Sequence, residues 1–135
     1  MSLHKKEAWK SLKEIILLYN ILDDGRNNKI KKVLRNKNIV LRKVSKNDYK
    51  MPIFQLLTGM SATSETCYRG EELSDEMIVL AIRRENLDSV LAALKDEGIY
   101  VPYKAVVTEK NGWWNSIQLF NELRREHEEI KRLNS

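Results

Sequence analysis

The chain predicts a three-layer α/β sandwich: a four-stranded, mostly parallel sheet of order 2-1-3-4 with helices on both faces. Three observations carry this. Two short runs, Ile15-Ile16-Leu17-Leu18-Tyr19-Asn20-Ile21 and Met77-Ile78-Val79-Leu80-Ala81-Ile82, are almost wholly apolar and read as strands buried on both faces in the middle of a sheet. Helix-period stretches separate successive strand-like runs, so the order is βαβαβαβα. Right-handed crossovers then place the two apolar runs side by side. A ferredoxin-like α+β core is the alternative, read with the same two strands central but antiparallel to each other. The linker from Ser45 to Asp75 discriminates: it contains a helix, which favours the parallel crossover, but one short enough to leave the alternative open.

Residues 1–13 read as an N-terminal arm, with Trp9 and Leu12 on one side of a segment too short to hold a helix unaided. Residues 14–135 form the single α/β domain. After the first strand, Asp23 or Asp24 caps a helix running from about Arg26 to Asn36. Ile30, Val33 and Leu34 take its inner face, and Arg26, Lys29, Lys31, Lys32 and Arg35 its outer one. Ile39 to Val44 is the second strand, whose Arg42-Lys43 end suits an edge. Pro52 opens a short helix, Ile53 to Thr58, stopped by Gly59. Met60 to Asp75 is polar and aperiodic, the longest loop. The third helix takes Asn86 as cap and Leu87, Val90, Leu91 and Leu94 as its stripe, ending at Gly98. Val101 to Thr108 is the fourth strand, with Pro102 at its start as an edge strand allows. Asn115 and Gln118 form a capping box for the last helix, Ser116 to Leu133. Its buried stripe is Ile117, Phe120, Leu123, His127 and Ile130, and its final turns overhang the sheet. The chain shows no internal repeat and no low-complexity tract.

Bulk properties bound the function. A chain of 135 residues with 42% hydrophobic and 32% charged residues buries a core without disulfides or metal. The lone Cys67 cannot form an internal bridge, no apolar run reaches the roughly 18 residues of a membrane span, and no signal peptide opens the sequence. A cytoplasmic protein is expected. The net charge of +5 is uneven: residues 1–50 carry 14 Lys/Arg against 5 Asp/Glu, and residues 51–135 carry 10 against 14. A basic half suits a phosphate-bearing partner, and Arg26, Lys29, Lys32 and Arg35 are its candidate contacts. A solvated basic face is the plainer alternative.

Ile16-Leu17-Leu18-Tyr19-Asn20, Asp48-Tyr49, Leu56-Leu57-Thr58-Gly59, Met77-Ile78-Val79-Leu80, Lys104 to Thr108 with Asn111 and Trp114, and Glu122-Leu123 with Glu126-His127 occur in this order. Together they resemble a family of small bacterial proteins catalogued as a domain of unknown function, family 3783. The resemblance runs over about residues 15 to 130, is most specific from Lys104 to His127, and transfers no catalytic residue.

Chemistry-bearing motifs are few. The turns after the apolar strands lack the glycines of a phosphate loop, and two histidines far apart with one cysteine make a poor metal inventory, so neither metal nor cofactor is expected. Cys67 and the serines beside it have no nearby histidine to act as base. His127 reads as a core or interface residue, and Trp113 and Trp114 as a lid on the sheet edge or half of a binding surface. The leading expectation is therefore a non-enzymatic binding or regulatory module. The second is a small-ligand binder or enzyme using the crevice at the carboxyl ends of strands one and three, lined by Asn20, Asp23, Arg83, Thr108 and Asn111. Nucleic-acid binding through the basic first helix is the third. A homodimer through the overhanging last helix is also expected, with a monomer as its alternative.

Overall fold

The computed structural model describes residues 13–134; apart from Lys13, the expected N-terminal arm lies outside the described residues. Strands β1 (Ile15–Tyr19), β2 (Val40–Lys43), β3 (Met77–Ala81) and β4 (Tyr103–Val106) form one sheet in the order β2-β1-β3-β4. The apolar runs are central, as expected. β1 pairs in parallel with β2, and β3 with β4, but the central pair β1–β3 is antiparallel, with Leu17 opposite Val79. The parallel reading of that pair is therefore corrected. Its cause lies in the linker: β3 starts at the same sheet end at which β2 finishes. The chain never has to cross back, and helix α2 (Ile53–Leu57) has only 5 residues.

Helices α1 (Asp24–Leu34) and α3 (Arg84–Asp96) are the two crossovers. They share one face of the sheet, where Ile30, Leu34, Val90 and Leu94 pack on Ile16, Leu18, Ile78 and Leu80. Alternation along the central strands sends Ile15, Leu17, Tyr19, Met77 and Val79 to the other face, beneath α2 and α4 (Ser116–Leu133). Both sides of the central strands are thus covered, which is why they are apolar throughout.

Local chemistry sets most boundaries. The Asp23 carboxylate caps α1 by accepting from the Gly25 and Arg26 amides. Asn115 and Gln118 make the expected capping box, and Gly98, at φ 71°, closes α3 in the left-handed region. α3 begins two residues before Asn86, which is not its cap: Arg83 holds that position without a side-chain bond. The α4 stripe is also corrected. Leu119 and Phe120 are buried, Ile117 and Leu123 partly so, and His127 and Ile130 are exposed. The 3.6-residue period places Leu119 inward as readily as Leu123.

Candidate functional site

An antiparallel central pair sends the carboxyl ends of β1 and β3 to opposite ends of the sheet. The single crevice expected from Asn20, Asp23, Arg83, Thr108 and Asn111 is accordingly divided. Asn20 and Asp23 lie at one end. There Asn20, at φ 60°, donates to the Leu73 carbonyl (3.0 Å), and Asp23 is occupied as the α1 cap. Arg83 and Thr108 lie at the other end and line one cleft of about 660 Å³, together with Glu14, Arg84, Ile82, Val107 and others. Asn111 stands beside Thr108, but its side chain is used within the turn: it accepts from the Thr108 amide (2.8 Å) and donates to the Val106 carbonyl (2.9 Å).

Glu14 gives this cleft its electrostatics, and sequence reasoning missed it. It precedes β1, is buried, and reaches the start of α3. There it accepts from the Arg83 amide (2.8 Å) and Asn86 Nδ2 (2.9 Å) and pairs with the Arg83 guanidinium at 3.2 Å. A carboxylate at a helix N-terminus complements the helix dipole, so Glu14 acts for α3 as Asp23 does for α1, from 69 residues away along the chain. Among the described residues, Arg84 makes no ion pair. Two arginines against Glu14, Glu85 and Glu109 leave the cleft mixed in charge rather than anion-selective. Nothing local in the sequence marks Glu14 beyond its being the last charge before a buried run.

The basic face is partly as expected. Lys29 and Lys32 are exposed on α1, with Lys31 beside them, and Arg35 is exposed at its C-cap. Arg26 is not available: it is tied to Glu76 and donates to the Tyr100 carbonyl, anchoring α1 to the start of β3 and the approach to β4. Arg42, expected to mark an edge, turns inward and donates to the Leu56 and Leu57 carbonyls (2.8 and 3.1 Å), which closes the C-terminus of α2.

On the α2/α4 side the buried polar groups are matched. The Tyr19 hydroxyl shares a hydrogen bond with Ser116 Oγ (2.8 Å), and Tyr49 donates to Glu72. Burial pushes both phenols above their ordinary range; beside Tyr49 the Glu72 carboxylate adds to the effect. Trp113 packs edge-on against Phe54 but remains half exposed, and Trp114 covers the core with the Lys110 ammonium 5.9 Å from its ring. His127 stacks on Tyr103 (4.6 Å between ring centres). Among the described residues no group of His, Cys, Asp and Glu is placed to hold a metal ion, and no helix is long and apolar enough to cross a membrane.

No curated protein and no solved structure matches the chain. A family model does match, at residues 76–130. That span starts one residue before β3 and takes in β3, α3, β4 and most of α4, one whole strand–helix–strand–helix unit. The likeness noted at Ile16–Asn20 and at Asp48–Gly59 falls outside it. Over residues 76–130, then, the chain is similar to the family described as Domain of unknown function (DUF3783).

Proposed function

We propose that the protein is a non-enzymatic binding module of the bacterial cytoplasm, and that it takes nucleic acid through the phosphate backbone on the basic face of α1. The observation carrying this reading is a contrast between two helices with one structural role. Both α1 and α3 cross over between parallel strands on the same face of the sheet. Residues 24–37 bear six cations against one acid, whereas residues 84–97 bear two against four. The fold therefore does not require lysines on a crossover helix. Lys29, Lys31, Lys32 and Arg35 are exposed and make no ion pair among the described residues, which leaves them available to phosphates. The exposed Trp113 packs on Phe54, on the far side of the sheet, so it offers these cations no stacking platform. The contacts are to the backbone and independent of sequence.

Titration of labelled DNA and RNA at about 50 and 200 mM salt tests this, since phosphate contacts weaken steeply across that range. Binding is expected at low salt and falls as salt rises. The Lys29→Gln/Lys32→Gln/Arg35→Gln variant should lower the salt slope by about one for each cation that neutralises a phosphate. Absence of binding at low salt ends the proposal.

A second reading rests on the cleft at the carboxyl ends of β3 and β4, whose volume and ion pair between buried Glu14 and half-exposed Arg83 suit a small ligand. A compound that raises the melting temperature of the protein but not of Thr108→Val would favour it.

A further inference from the structure

We infer that residues 14–58 are a second, diverged copy of the unit formed by residues 76–121, and that the β1–β3 seam is a homotypic interface. The chain would then be a dimer of one strand–helix–strand–helix unit within a single polypeptide. The seam is self-complementary. Leu17 faces Val79, and the flanking pairs Ile15–Ala81 and Tyr19–Met77 exchange places under a two-fold axis through that central pair. This symmetry makes each β1 residue equivalent to the β3 residue 62 positions later.

The correspondence continues beyond the strands. The helix N-caps are Asp23 and Arg83, and the left-handed residues after the helices are Asn38 and Gly98. Both intervals are 60. Between them, Ile30 matches Val90 and Leu34 matches Leu94, all buried. The outer strands share a register: Val40 stands beside Ile15 as Tyr103 stands beside Met77. The bonds that end these strands, Val44 amide to Leu18 carbonyl (2.9 Å) and Val107 amide to Leu80 carbonyl (3.0 Å), are equivalent. Each outer strand leads through a 3-10 turn to a helix capped by Pro52 or Asn115, and those two residues form an antiparallel bridge with each other. A bridge between equivalent residues lies on the axis itself.

The inter-unit ties repeat as well. Glu14, one residue before β1, holds the start of α3 through Asn86. Glu76, one residue before β3, holds the start of α1 through Arg26. Asn86 and Arg26 are again 60 apart. A surface that pairs with its own copy buries the same patch on both sides, which is what the seam does. The partner that fits β3 is thus another copy of its own unit, supplied here by the N-terminal half.

Two full-length variants test the inference. In the first, residues 14–58 are replaced by a second copy of residues 76–121, with residues 59–75 kept as the linker. It should be monomeric by sedimentation, with nuclear Overhauser effects between the two copies of Val79. In the second, Leu17→Val is combined with Val79→Leu. Because the two sites face equivalent surroundings across the axis, the exchange should melt within about 3 °C of the parent, above either single variant. An exchange that melts below both single variants overturns the inference. A chimera that folds without pairing its two copies does so too.

Discussion

Leu17 and Val79 have no measurable exposure and face each other at the centre of the seam. Truncating Leu17→Ala removes three carbons from a site closed on both sides and should cost about 2–5 kcal/mol in chemical denaturation. A loss below about 1 kcal/mol would contradict the central placement. Their burial was legible because an unbroken apolar run has no polar face to turn to water. The tyrosines were less so. Tyr19 is fully buried yet keeps a partner in Ser116, and that partner lies 97 positions away, beyond the reach of any local pattern. Phenols held neutral by burial make stability fall at high pH. The folded-state pKa of Tyr19 and of Tyr49 is raised, so their contribution is complete below the unfolded value of about 10 and is lost as pH climbs past it. The urea midpoint should be flat from about pH 8 to 9.5 and decline beyond about pH 10. Tyr19→Phe, which leaves Ser116 Oγ without its partner, should itself cost about 1–3 kcal/mol. A midpoint that holds through about pH 11 would refute the assignment of these phenols to the core.

Individual elements were legible to within a few residues wherever the signal was local. The last helix has its expected bounds because Asn115 and Gln118 write its start into the sequence. α3 was misjudged because its start is stabilised from another part of the chain, by Glu14. Glu14→Ala should therefore loosen a helix it does not belong to. Hydrogen exchange at the first turn of α3 is expected to quicken, with a stability loss of about 1–3 kcal/mol. Unchanged exchange there would show that the carboxylate does not secure the helix. The repeat of elements escaped notice for a related reason. The equivalent positions are 62, 60 and then 63 apart, because the strand-to-helix turn is two residues shorter in the second half and the helix-to-strand loop three longer. Identity survives only at scattered buried or capping-turn positions such as Ile16/Ile78, Leu18/Leu80, Gln55/Gln118 and Leu56/Leu119. A search at fixed period has nothing to lock onto. Of the candidate site, residue types were legible but their grouping was not, since it depends on the direction of β3 relative to β1.

For the whole molecule, the 18-residue α4 is about 27 Å long against about 17 Å for five-residue strands. The expected overhang is present: Ile130 and Leu133 are 56% and 75% exposed. Truncation after Glu128 keeps the His127–Tyr103 stack and should shift the melting temperature by no more than about 2 °C; a larger drop would mean that the last turns hold the fold. The seam has a consequence for the route by which the chain folds. β1 meets β2 across 25 residues (Ile15 to Val40) and β3 meets β4 across 26 (Met77 to Tyr103), whereas the seam joins residues 62 apart (Leu17 to Val79). Longer loops close at greater entropic cost, and non-local pairings form late. Each half should consolidate its own strand–helix–strand packing before the halves meet. In rapid-mixing experiments, Leu17→Ala is then expected to act mainly on the unfolding rate, with a φ-value near zero, while Ile30→Val and Val90→Ala in the crossover helices give larger ones. The opposite ranking would make the docking of the two halves the nucleus, and not the final step, of folding.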